Sequence, residues 1–152
     1  LKHRRSVFFV DQSYFVIVDE AVGDAKGTVN LNYHLCEGTV NVDGKNHILT
    51  TAYDGPSNMK LQCFAEKKAS IREKEGWRST AYRVRVPRTS VSFDVEKKDS
   101  EAVRYITIIY PSKNAASFPA FKAKFLNKKF DENGVKIEIS VDGKKRQLEY
   151  KL

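Results

Sequence analysis

The chain has 152 residues, 41% of them apolar and 30% charged, and a formal charge of +8. This balance excludes a disordered or collagen-like polymer. The length suits one domain over residues 1–152, which buries about 70% of its unfolded surface and needs no disulfide or metal to hold it. No apolar run reaches the roughly 18 residues of a membrane-spanning helix, so no membrane partner is expected. The chain starts at Leu1 without Met or a signal peptide, which is expected of an excised piece of something longer.

Period-two patterns dominate in chain order. Val7–Val10 and Phe15–Val18 are apolar on both faces and are expected to be central strands covered on both sides; if the parent fold continues before Leu1, an exposed apolar patch or unpaired edge strand, covered by another copy, is expected near one of them. In Thr28–Cys36, Val29, Leu31, Tyr33 and Leu35 alternate with Asn30, Asn32 and His34, the pattern of a half-buried strand. Asp43-Gly44 separates Thr39–Val42 from His47–Tyr53, and Asp142-Gly143 separates Val135–Val141 from Lys144–Tyr150. Asp-Gly favours the type I′ turn, so two hairpins are predicted. Met59, Leu61, Cys63 and Ala65 alternate with Lys60, Gln62 and Glu66, with Phe64 breaking the polar side. Ala65–Glu75 holds helix formers but no apolar stripe; it reads as a strand end, a charged loop and a short strand, with one or two helical turns as the alternative. Tyr82, Val84 and Val86 alternate with Arg83 and Arg85, and Val91, Phe93 and Val95 with Ser92, Asp94 and Glu96. Tyr105–Tyr110 is a third strand apolar on both faces. The expected fold is all-β, an antiparallel β-sandwich of roughly ten short strands.

Catalytic motifs are absent: no Gly-x-Ser-x-Gly, no phosphate-binding glycine loop, no dinucleotide fingerprint. Cys36 and His34 share a strand face, but no third group orients them as a nucleophilic pair. His34 with Asp19 and a third residue would be the one conceivable metal site. Asp19 and Glu20 point to opposite faces of a strand and are expected to pair with Arg4 or Arg5 on a neighbouring strand. Cys63 falls on an apolar face, as a small core residue would.

The charge is uneven. Residues 1–76 hold 10 Lys/Arg and 10 Asp/Glu, whereas residues 77–152 hold 17 and 9, the whole net +8. Arg83, Arg85 and Arg88 recur through one stretch, the first two on one strand face, and Lys122 and Lys124 share another face. Guanidinium forks bind carboxylate and sulfate groups, so these five residues are the candidate contacts for an acidic polysaccharide. A nucleic-acid partner is not expected, because Phe121 and Phe125 fall opposite Lys122 and Lys124 as core against solvent.

Three stretches together carry a resemblance: His3-Arg4-Arg5-Ser6-Val7-Phe8-Phe9-Val10, Tyr14-Phe15-Val16-Ile17-Val18-Asp19-Glu20, and Val29–Leu35, with Gly76-Trp77-Arg78-Ser79 and Tyr82 later. They resemble the C-terminal β-sheet region of heparinase II/III-like polysaccharide lyases, nearest the heparinase III-like branch, over most of residues 3–110. The resemblance implies a parent chain joining an N-terminal (α/α) toroid to this sandwich and cleaving heparan sulfate or related chains by β-elimination. It implies a periplasmic or secreted protein. The family's Asn and Tyr come from the toroid, and its catalytic His and its metal site precede the His-Arg-Arg run. No catalytic residue and no metal ligand is therefore expected in this chain; any metal ion belongs to the upstream part of the parent. Tyr14, Tyr33 and Tyr82 are expected to be core or sheet tyrosines. Alone the chain is expected to be inactive, serving as structural support with contact to an anionic polysaccharide. The alternative is a stand-alone carbohydrate-binding sandwich for acidic glycans.

Overall fold

The computed structural model describes residues 1–113 and 117–152. Among these described residues twelve strands form: β1 (Lys2–Val10), β2 (Tyr14–Val22), β3 (Gly27–His34), β4 (Val40–Asp43), β5 (Ile48–Thr51), β6 (Asn58–Ala65), β7 (Ser70–Arg78), β8 (Val86–Lys97), β9 (Val103–Ser112), β10 (Phe121–Phe125), β11 (Gly134–Val141) and β12 (Lys144–Lys151). Every pairing is antiparallel. A six-stranded sheet in the order β1-β2-β9-β6-β5-β4 is accompanied by two three-stranded sheets, β3-β8-β7 and β10-β11-β12. This is the expected all-β sandwich architecture, and among the described residues no helix could cross a membrane.

The side-chain period of two explains why the six-stranded sheet carries two cores. On β9, Val103 and Tyr105 join a cluster with Leu31, Leu49, Leu61, Val91, Phe93 and Val95, which lies against β3-β8-β7. Ile106 and Ile108 point the other way, joining Val16, Val18, Phe121, Ile137 and Ile139 against β10-β11-β12. Phe64, the break in the polar side of β6, packs on this second cluster. Nearby, the buried Lys60 donates to the carbonyl of Pro119 at 2.8 Å and lies 4.4 Å from the Phe121 ring centre.

Strand β9 is covered as expected and β2 is covered except at Phe15, which is 38% exposed, but β1 is not central. It is an edge strand paired only with β2, leaving Val7 58% and Phe9 57% exposed. Phe9 stacks on Phe15 at 4.7 Å, so the face opposite the second core carries an uncovered apolar stripe. The Asp142-Gly143 hairpin forms as predicted, with φ values of 50° and 80°. Asp43-Gly44 does not form the two-residue turn. Four residues, Gly44–His47, connect β4 to β5, and the Asp43 carboxylate accepts from the amides of Lys45 and Asn46 and the side chain of Asn46. These bonds hold the Asp43 carboxyl below its usual value, that from the Asn46 side chain most. They offer the chain an Asx turn in place of the I′ turn.

Residues Tyr82–Arg85 are not a strand. They lie in the loop between β7 and β8, where Arg83 adopts φ 61° and the Val84 amide bonds the Ala81 carbonyl at 3.1 Å. Strand β7 is longer than predicted because Arg72, Lys74 and Arg78 lie opposite Ser92, Ser90 and Val86 of β8, a pairing that apolar periodicity does not reveal.

The outer side of β8 also departs from simple alternation: Ser90, Ser92 and Asp94 are buried. Asp94 accepts from Asn30 Nδ2 at 2.6 Å and from Ser92 Oγ, and pairs with Arg72 at 2.7 Å. Burial pushes its carboxyl up, but the Ser92 and Asn30 bonds and the Arg72 charge together outweigh that and hold it below the usual value. A depressed carboxylate stabilises the fold above the unfolded pKa, and that contribution disappears as pH falls through the folded value. Asp94→Asn is therefore expected to cost about 1–3 kcal/mol at pH 7. The gap to the parent should close below about pH 4, as followed by urea denaturation across pH.

A charge ladder fastens β10-β11-β12 to the six-stranded sheet. Arg4, Glu20 and Arg104 are cross-strand neighbours on β1, β2 and β9, and Glu66 follows β6. Arg4 Nε donates to Glu20 at 2.8 Å, and Arg104 grips Glu66 through Nε at 2.8 Å and also through Nη2. Arg4 then donates to the carbonyls of Glu132 and Gly134 and lies over Phe130, while Arg104 donates to the carbonyl of Asn127 and lies over Phe125. On the other face Arg5 and His3 both engage Asp19, at 2.7 and 2.6 Å, so both acidic residues of the Asp19-Glu20 pair meet the expected arginines.

Candidate functional site

The five candidate contacts fall on two surfaces, one on each side of the six-stranded sheet. Arg83, Arg85 and Arg88 belong to β7–β8, and Lys122 and Lys124 to β10. The arginines do not share a strand face, because Arg83 and Arg85 are in the connecting loop.

Geometry at the β7–β8 tip is set by two contacts. Gly76 lies opposite Arg88, and a Cβ on it would come within 2.8 Å of the Arg88 carbonyl, so only glycine permits this approach. Trp77 is next; its Nε1 donates to Glu75 at 2.6 Å, and the Arg85 guanidinium covers its ring at 3.8 Å. Arg83 lies 5.2 Å from the ring of Tyr82, which is 87% exposed. Tyr82 is thus neither a core nor a sheet tyrosine. The tip presents two aromatic rings, each paired with a guanidinium, an arrangement able to meet both the ring face and the anionic groups of a sugar. Arg88 is half-buried on β8 and borders a shallow cleft with Glu73 and Lys74.

On the opposite side, Lys122 and Lys124 are exposed on the edge strand β10, with Phe121 and Phe125 turned inward as expected. Lys124 pairs with Glu138 at 3.0 Å. Lys145 completes a cleft of about 460 Å³ with them. Sequence reasoning missed Lys145, which lies opposite Ser140 on β12, and missed Trp77 and Tyr82 as contacts; the Trp-x-x-x-x-Tyr-Arg-x-Arg spacing around a turn was the available signal.

Cys36 lies beyond the end of β3 and is exposed, so it shares no strand face with His34. Cys63 is buried, and burial pushes its thiol up to about 12, far from a reactive thiolate. Burial likewise raises the phenols of Tyr33, Tyr105 and Tyr14, away from the phenolate that proton abstraction requires. Among the described residues no group of three or more His, Cys, Asp and Glu side chains could hold a metal ion, and Asp19 is occupied by His3 and Arg5.

Comparison with known proteins places these observations. The family model described as heparinase II/III-like, C-terminal, matches residues 1–126. A heparin-sulfate lyase of Bacteroides stercoris is 53% identical over 152 residues, all of this chain and 23% of its own length. One from Bacteroides thetaiotaomicron is 37% identical over 158 residues, 100% of this chain and 22% of its own length. A solved heparinase III gene product superposes with a TM-score of 0.96 at 55% identity, covering 99% of this chain and 23% of that one. The chain therefore spans less than a quarter of the length of these relatives.

Proposed function

The chain belongs to the heparinase II/III-like C-terminal family, and from that premise we propose that it is a non-catalytic β-sandwich domain of a heparinase III-like lyase. The parent would cleave heparan sulfate or a related acidic polysaccharide by β-elimination. The observation that carries this reading is the full-length match to a minor part of heparin-sulfate lyases. The burial that raises the phenols of Tyr33 and Tyr105 supports reading these two as structural tyrosines of the sandwich. The domain's role is twofold: it braces the rest of the parent, and its basic surfaces draw an anionic chain towards it. The uncovered stripe of Val7, Phe9 and Phe15 supports the first role, since an apolar edge of this kind marks an interaction surface. The remaining sandwich of the parent and an (α/α) toroid are the proposed partners, and the location proposed with the family is periplasmic or secreted. Any metal ion is proposed to sit in the upstream part of the parent, as the family resemblance implies.

The positive excess of residues 77–152 supports the second role, because such a field raises the encounter rate with acidic ligands and is screened by salt. The chain alone is expected to show no turnover of heparan sulfate. It should bind immobilised heparin in a salt-sensitive way, and reversal of Arg83, Arg85, Lys122 and Lys124 to Glu should lower the on-rate by about tenfold or more. Measurable turnover by the chain alone would refute the non-catalytic assignment. Retention unaffected by the four reversals would remove the basic surfaces from the proposal.

A further inference from the structure

A third basic cleft, apart from the two surfaces above, lies where the β6–β7, β8–β9 and β10–β11 connections meet. It measures about 430 Å³, within the range of small-molecule sites, and Lys67, Glu101, Arg104, Lys128, Lys129 and Phe130 are among its lining residues. Its charge is unbalanced. Four cations line it against two carboxylates, Glu66 and Glu101. Glu66 is already held by Arg104, and Glu101 by Lys67 at 3.1 Å. Lys128 and Lys129 are exposed and have no carboxylate partner among the described residues. Beneath them Arg104 is buried, with its Nη1 lacking any hydrogen-bond partner. Nη1 itself has no exposed surface, so a bound oxyanion would meet the charge of the buried guanidinium rather than that N–H. Phe130, covered by Arg4 at 4.4 Å, adds an apolar wall.

We propose that this cleft is a subsite for one acidic sugar residue, its carboxylate or sulfate held by Lys128 and Lys129 above Arg104 and its ring against Phe130. The proposal rests on the heparan-sulfate reading for the sugar, but on the charge of the cleft for the anion. The test is hydrogen–deuterium exchange on the full-length chain that carries these residues, with and without a sulfated heparan disaccharide. Slower exchange is expected in segments 98–104 and 126–132, with an apparent affinity about tenfold weaker in a Lys128→Ser/Lys129→Ser variant. Unchanged exchange in those segments, in a chain that still cleaves heparan sulfate, would overturn the subsite and leave the lyase reading standing. Protection by the disaccharide in a full-length parent protein that cleaves no heparan sulfate would overturn the lyase reading and support the subsite. Equal protection by inorganic sulfate at the same concentration would mean an adventitious ion only and would overturn the sugar assignment.

Discussion

Replacing Arg104 with alanine is expected to lower the stability of the fold by about 3–5 kcal/mol, the cost of breaking a buried ion pair by removing one partner. Arg104 is only 2% exposed and sits between Glu20 and Glu66 in the ladder across the six-stranded sheet. Its loss leaves Glu20 with Arg4 alone, removes the bond to the Asn127 carbonyl and uncovers Phe125. Three predictions separate this from a simple loss of packing. Arg104→Lys keeps the charge but not the fork, so it should fall between the parent and the alanine variant. The Leu126–Asn133 connection should lose exchange protection before the β2–β9 pair does. The third concerns pH. Burial is the largest influence on Glu20 and raises its carboxyl above the usual value despite Arg4 and Arg104. A raised carboxylate binds a proton more readily in the folded state, so its penalty is relieved as pH falls. The deficit of Arg104→Ala should therefore shrink on acidification, and urea midpoints measured from pH 7 to pH 4 would show it. A deficit that stays constant over that range would mean that the ladder's charges do not matter and that Arg104 acts through volume alone.

Phe93→Ala is expected to cost a similar amount, about 3–5 kcal/mol, for a different reason: a fully buried aromatic leaves a cavity that its surroundings fill only in part. The Phe93 ring meets the edges of Tyr33 at 6.1 Å and His47 at 6.0 Å, and its backbone carbonyl accepts from the Tyr105 hydroxyl at 3.4 Å. It thus joins β3, β8 and the six-stranded sheet at one point, and β8 carries the basic β7–β8 tip. Phe93→Leu should retain most of the stability, at a cost of about 1 kcal/mol. Because the tip depends on this packing, Phe93→Ala should also weaken heparin retention, although none of its surface charge changes. If retention survives with the core loosened, the β7–β8 arginines bind independently of their scaffold.

The legibility of this protein in its sequence varied with the kind of information sought. Alternation is a property of neighbouring residues, and it located β3, β6, β8 and β11 and the inward faces of Phe121 and Phe125, while an unbroken apolar run located β9. Asp142-Gly143 named its own turn, because the φ values of a type I′ turn favour those residues wherever it occurs. Asp43-Gly44 has the same letters and a different turn, since Asn46 supplies a competing partner for the Asp43 carboxylate. Residues Tyr82–Val86 alternate like a strand, yet only Val86 is paired, because the register Arg78↔Val86 closes the hairpin before them.

What the sequence determined by itself was the all-β class, the double-faced strands β2 and β9, the pairing of Asp19 and Glu20 with neighbouring arginines, and the family resemblance. What only the tertiary structure decided was which faces are covered and which charges stand together. The Val7–Val10 half of β1 is as apolar as Phe15–Val18 of β2 but lies at an edge, because cover depends on strands far along the chain rather than on its own residues. Ser92 and Asp94 look like a solvent face and are buried, because Asn30 and Arg72 close over them from two other strands. Arg83 and Lys122 appear as one basic half of the sequence and stand on opposite sides of the six-stranded sheet. Arg104 and Lys128, 24 positions apart in the sequence, line one cleft. The physical reason is common to all of these: periodicity records which way a side chain points, and only the pairing of distant strands decides what it points at.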